Sequence, residues 1–148
     1  MTETVGFTGT QNLSTKDYET VRSIVLSLPS DIRVVVGGCI GVDDYVAYVA
    51  FNSGYHVHAI IPFNRSKVAP DWRDYCTTYE EMPEGTDYRD RNTRIVEEVT
   101  DRLIAIAGYP ENDPQSRRSG TWMTVRIARR ANKLVEEHVL SEVVHVTT

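Results

Sequence analysis

The chain has 148 residues, 41% hydrophobic and 25% charged, which suits one core of moderate size and leaves too little chain for a second. Its longest apolar runs, such as Leu103 to Ala107, are only strand-sized, so neither a membrane span nor a secretory apolar segment is expected. A net charge of −5 weighs against indiscriminate binding to a polyanion, because that affinity comes mainly from Lys and Arg neutralising phosphates. The charge is uneven: between Arg89 and Lys133 ten basic residues face six acidic ones, so the second half carries the local positive field. Cys39 and Cys76 form neither a disulfide framework nor a metal-ligand spacing, which predicts a cytoplasmic protein without structural zinc.

Thr4 to Gly9 reads as a short strand ending in Gly and polar residues. Ser14 can cap a helix with Asp17 three positions on, and Tyr18, Val21, Ile24, Val25 and Leu28 keep helical spacing until Pro29. Ile32 to Val36 is a buried strand that runs into Gly37-Gly38-Cys39-Ile40-Gly41-Val42-Asp43. A second helix follows, with Val42, Tyr45, Val46, Val49 and Ala50 on one face and Gly54 where a C-terminal cap belongs. Val57 to Ile61 is a third strand, broken by Pro62.

Residues 63 to 87 show no sustained period and read as a long irregular excursion, with a short strand around Cys76 to Tyr79 as the alternative. Its Trp72 and Tyr75 either anchor the loop or stack on a base, packing being favoured. Arg89 to Val99 returns to helical spacing, and Leu103 to Ala107 is a fourth buried strand. After a loop over 108 to 118, Ser119-Gly120-Thr121 opens a helix with Trp122, Val125 and Ala128 in register. The tail from Leu134 suits an edge strand or a helix.

Strands alternating with helices predict a single α/β domain over residues 1 to 148, a three-layer Rossmann-like arrangement with a mainly parallel sheet and helices on both faces. Ligands of such sheets bind at the carboxyl ends of the strands, where strand order reverses, which places Thr8 to Gln11, Gly37 to Asp43 and Arg117 to Thr121 on one rim.

Gly37, Gly38 and Gly41 form a strand-to-helix turn whose backbone can approach a phosphate, although the spacing is neither a dinucleotide fingerprint nor a Walker A loop and suits tight packing too. Asp43 suits a first-turn acid, a ribose contact or a loop anchor. At Arg117-Arg118-Ser119-Gly120-Thr121, guanidinium groups, hydroxyls and a helix N-terminus converge, the donors an anion needs. Arg91 and Asn92 open another helix and offer a second cationic contribution. No Ser-His-Asp order, nucleophile elbow or His-Glu metal motif is visible. His56, His58, His138 and His145 fall on or near strand-like segments, where core or edge positions are expected, so no catalytic residue is assigned.

Taken together, Phe7-Thr8-Gly9-Thr10, Gly37 to Asp43, Arg91-Asn92, Asp101 before a buried strand, and Ser119-Gly120-Thr121-Trp122 followed by Val125 to Arg129 resemble the SLOG superfamily. That group includes DNA-processing protein A, the Lonely Guy phosphoribohydrolases, molybdenum-cofactor carriers and small standalone YspA- or YpsA-type proteins, the last looking most similar. The resemblance implies a Rossmann-like sheet that binds nucleotides or nucleotide-derived ligands through Thr8, Gly9, Thr10 and the two glycine-containing loops. Lonely Guy enzymes follow their Gly-Thr with a catalytic Glu, whereas Thr121 here precedes Trp122, Met123 and Thr124, leaving Asp43 or Glu97 as the substitutes in principle.

The expectation is therefore binding of a nucleotide-like, phosphoribosyl-type small molecule without hydrolysis. No separate cofactor, metal or membrane contact is expected, and the protein is expected to pair as a homodimer or higher homo-oligomer. A single-stranded DNA binder related to DNA-processing protein A is the second reading, and an N-glycosidase the third.

Overall fold

A computed structural model describes residues 2–144. Its strands are β1 (Thr4–Gly9), β2 (Arg33–Val36), β3 (His56–Ile61), β4 (Thr78–Glu81), β5 (Arg102–Ala107) and β6 (Val135–Val139). The helices are α1 (Tyr18–Leu26), α2 (Val42–Asn52), α3 (Tyr88–Glu98) and α4 (Gly120–Arg130). The six strands form one sheet in the order β4-β3-β2-β1-β5-β6, and each adjacent pair is parallel. Parallel pairing demands crossover connections, and covering both faces is why the central strands are apolar without interruption.

Alternation along the strands divides that apolar content between two cores. Val5, Phe7, Val34, Val36, Val57, Ile104 and Ile106 pack with Val21 and Val25 of α1 and Val46 and Val49 of α2. Val35, Ile60, Leu103 and Ala105 face the other way, against Ile95 and Val96 of α3 and Trp122, Val125 and Ala128 of α4. Gly6 lies at the centre of this second face, where a Cβ would stand 2.7 Å from a Val99 methyl, so the bare backbone admits the end of α3.

Residues 63 to 87 are more ordered than their aperiodic sequence suggests. A short 3-10 turn, Trp72–Tyr75, precedes β4, which pairs with β3 from His58↔Thr78 to Ile61↔Glu81. Trp72 is buried, with its ring edge-on to Tyr79, so its role is packing. The tail resolves in favour of an edge strand: β6 pairs with β5, and Asn132 turns the chain out of α4 with φ 58°. His145 lies outside the described residues.

Ser14 does not cap α1 through a backbone contact; its hydroxyl donates to Asp17 Oδ2 at 3.0 Å across a 3-10 turn that leads into the helix. Among the described residues, no helix is long and apolar enough to cross a membrane.

Candidate functional site at the switch point

From β1 the chain steps outward through β2, β3 and β4, then returns to place β5 on the opposite side of β1. Strand order therefore reverses between β1 and β5, and the loops leaving their carboxyl ends splay apart there. A groove of about 890 Å3 opens at this point. Thr8, Gly9 and Thr10 line it from β1, Asp43 from α2, Arg91 and Asn92 from α3, and Arg118, Ser119, Gly120 and Thr121 from the entry to α4. Ten of the sequence-predicted positions thus share one cavity although they are spread over more than a hundred residues.

Gly37, Gly38 and Gly41 do not line the groove. Each faces protein instead. A Cβ on Gly37 would stand 2.6 Å from an Arg91 guanidinium nitrogen and 2.8 Å from Asp43 Oδ2. Gly38, at φ 72°, faces the Ile61 side chain, and Gly41, at φ 88°, would press a Cβ to 2.5 Å from the Thr10 carbonyl oxygen. The same join is closed by backbone bonds: Thr10 N–H donates to the Ile106 carbonyl at 2.9 Å and Val42 N–H to the Thr10 carbonyl at 3.0 Å.

Beneath that turn lies Arg91, 6% exposed. Its guanidinium donates to the carbonyls of Gly37 and Ile60, its Nε to Asn92 Oδ1 at 2.9 Å, and it touches Cys39 Sγ at 3.6 Å. Arg91 is therefore committed chiefly to holding the glycine turn, with its edge on the groove floor. Asp43 accepts from Cys39 N–H at 3.4 Å and anchors the turn from the other side. Burial pushes its carboxyl up to about 6, against the opposing pull of Arg91. Burial likewise raises the Cys39 thiol.

The α4 entry is built differently. The Ser119 hydroxyl accepts from Trp122 N–H at 3.2 Å, a helix N-cap. The Trp122 indole donates to the Tyr109 carbonyl at 2.9 Å, pinning the loop that follows β5. A Cβ on Gly120 would meet nothing within 4 Å, so the backbone here is open to an approaching group. Arg118 is exposed beside it.

Several lining residues were not singled out in the sequence. Lys16 and Lys67 add cationic charge, and Tyr88 and Tyr109 add aromatic rings. Lys67 arrives because Ile40 N–H donates to its carbonyl at 2.9 Å, a loop-to-loop contact with no local sequence signal. Tyr109 had one: it follows β5 at the carboxyl end beside the switch point. Tyr88 carries the Arg91 guanidinium 5.6 Å from its ring centre, whereas Tyr109 is 39% exposed.

His56, His58 and His138 lie on strands away from the groove. His58 contacts Thr78 Oγ1 at 2.7 Å and Glu80 at 2.9 Å, and His138 contacts Glu136 at 2.6 Å. His58, Glu80 and Glu98 approach within 4.8 Å, but Arg94 pairs with both carboxylates and Arg33 with Glu98, so arginine charge already occupies that cluster. Glu97 lies on the outer face of α3 and does not reach the groove.

An all-parallel sheet with this order and a groove at its switch point is a Rossmann-like α/β fold. Solved structures bear this out. The chain superposes on DNA processing protein A from Streptococcus pneumoniae with TM-score 0.71 at 19% identity, covering 92% of this chain and 50% of that one. DNA processing protein A from Helicobacter pylori, described with a single-stranded DNA binding mode, gives 0.65 at 17% identity over 91% and 64%. The molybdenum cofactor binding protein of the phototrophic bacterium Rippkaea orientalis gives 0.66 at 19% over 93% and 76%. This chain thus spans half to somewhat under two thirds of the two DNA processing proteins, and at these identities the likeness is one of fold. No protein-family model and no curated protein matches the sequence.

Proposed function

We propose that the groove binds a nucleotide or a nucleotide-derived, phosphoribosyl-type ligand, without hydrolysing it. The observation that carries this reading is the open α4 entry. The first N–H groups of a helix have no intrahelical partner, and here they meet Gly120, where no side chain intervenes, beside Ser119, Thr121 and the Arg118 guanidinium. These are the donors a phosphate requires, and exposed Lys16 and Lys67 extend the positive mouth. Tyr109 offers a half-exposed ring for a base, while Thr10 and Asn92 are within the same cavity for ribose hydroxyls. The turn formed by Gly37, Gly38 and Gly41 supports the site from behind by fixing Asp43 and the end of β1.

Hydrolysis has little to work with. Trp122 and Thr124 are buried, Glu97 is outside the groove, and Asp43 is engaged with Cys39 N–H. The competing reading is single-stranded DNA binding, favoured by the cationic mouth and by the structural likeness to DNA processing protein A.

Thermal-shift measurements against AMP, ADP-ribose, cyclic nucleotides, ribose phosphates and a short single-stranded DNA, each at low and high salt, separate the two. A ligand at a hundred times its Kd stabilises by about 2.7 kcal/mol, which for a chain of this size raises Tm by roughly 5 to 10 °C. A salt-tolerant shift with a nucleotide-like compound is expected. A shift confined to DNA and abolished at high salt would replace this reading with the DNA one.

A further inference from the structure

The groove is divided by charge. Lys16, Lys67 and Arg118 are exposed at its mouth, whereas three side chains deep between α3 and α4 are polar but uncharged. Thr8 stands at the carboxyl end of β1; Val5 and Phe7 face α1 and α2, so alternation turns Thr8 toward α3 and α4. Asn92 comes from α3 and Thr121 from the first turn of α4. Thr8, Asn92 and Thr121 are only 9%, 5% and 4% exposed, yet all three line the groove. Neither threonine hydroxyl has a partner among the described residues, and neither oxygen is sealed off from the groove. Asn92 Oδ1 accepts from Arg91 Nε at 2.9 Å, and because a guanidinium only donates, the amide is locked with Nδ2 on its far side. There Nδ2 meets Met123 Sδ at 3.7 Å, a weak acceptor.

Resting on the nucleotide reading of the groove, we propose that Thr8, Asn92 and Thr121 form its sugar subsite and select ribose over deoxyribose. Packing does not explain these groups, since valine would fill either threonine position with the same shape and without an unmade hydrogen bond. A phosphate is the wrong occupant for this part of the groove. Burying its charge among neutral side chains is costlier than leaving it beside the exposed cations and the α4 N–H groups. A sugar hydroxyl is neutral, and it both donates and accepts. The two threonine hydroxyls can do either in return, and Asn92 Nδ2 donates to the sugar oxygen, so a vicinal diol matches the set. A site built to hydrogen-bond a hydroxyl rejects the analogue without it, because the site's own buried groups are then left unpaired. The subsite therefore discriminates against DNA, which lacks the 2′-hydroxyl.

The test is calorimetric titration of the full chain with the ribonucleoside 5′-monophosphates of adenine, guanine, cytosine and uracil and with their 2′-deoxy counterparts. Each ribonucleotide that binds is expected to do so about tenfold more tightly than its deoxy counterpart, a difference of roughly 1.4 kcal/mol. Thr121→Val should remove most of that preference by weakening the ribonucleotide alone. Its Tm without ligand should stay level or rise, because the hydroxyl removed holds nothing in the protein. Thr121→Ser keeps the hydroxyl and should keep the preference, and Thr8→Val should reduce it. Equal affinity for ribo and deoxy forms would overturn the sugar subsite and leave the nucleotide reading standing. So would a Thr121→Val protein that keeps the preference, or one that weakens both forms alike with a lowered Tm. Saturable binding of none of these compounds would overturn the nucleotide reading and the subsite with it.

Discussion

Gly120 and Gly38 respond oppositely to the same added methyl group. At Gly120 a Cβ has open space, so Gly120→Ala is expected to stay within about 1 kcal/mol of the parent in urea denaturation. The methyl would nevertheless stand where a phosphate must approach the helix N–H groups, and affinity for the compound that raises Tm should fall about tenfold. At Gly38 the positive φ of 72° and the Ile61 side chain both resist a Cβ, so Gly38→Ala should lose about 2 kcal/mol of stability. Arg91 is more sensitive still. Its removal strips the Gly37 and Ile60 carbonyls of a buried donor and leaves Asp43 without its opposing charge, so Arg91→Ala should cost roughly 3 kcal/mol. Arg91→Lys should rescue little, because a single ammonium cannot reproduce the forked donation to Gly37 and Asn92.

Among the elements, α4 links stability to the site most directly. Ser119 caps it through Trp122 N–H, and the Trp122 indole in turn holds the Tyr109 carbonyl. Ser119→Ala should therefore cost about 1 kcal/mol in chemical denaturation. It should also weaken ligand binding beyond the loss of one hydroxyl, since the first turn frays where the phosphate would sit. The α4 pattern was legible because a Ser-Gly-Thr start and the Trp122, Val125, Ala128 spacing are local. β4 was less so. Its four residues have one interior-side neighbour, β3, and polar side chains that read as loop, so only pairing with β3 makes Thr78 to Glu81 a strand.

At the scale of the whole molecule, the buried carboxyl of Asp43 makes stability depend on pH. Folded, it holds its proton until about 6, whereas an unfolded chain releases it near the ordinary 3.8. Its contribution is thus complete below about pH 4 and is lost as pH rises towards 6, by about 3 kcal/mol in all. Asp44 acts in the same direction, its folded value lying at about 7. Glu111, held low by its hydrogen bond to Arg129, acts oppositely and loses its contribution only on acidification below the ordinary glutamate range. Melting curves from pH 7 down to pH 5 should therefore show the parent gaining stability relative to Asp43→Asn; parallel curves for the two proteins would contradict the buried-acid account.

By itself the sequence determined the α/β class, the four central strands, the helix faces and the polar loops of the rim, because apolar periodicity and capping act over a few residues. The positions of Thr8 to Thr10 and Ser119 to Thr121 followed from the same rule, since loops leaving the carboxyl ends of parallel strands must gather on one edge. Only the tertiary structure decided what each group does there. It turned Gly37, Gly38 and Gly41 inward against Arg91, Asp43, Ile61 and Thr10, and brought Lys16, Lys67 and Tyr109 to the groove. It also gathered Tyr18, Tyr45, Tyr48 and Tyr75 around Asp44 and Asp71. Those contacts join residues far apart in the chain, and the direction a side chain takes at a turn is set by the partner it meets, which no local spacing records.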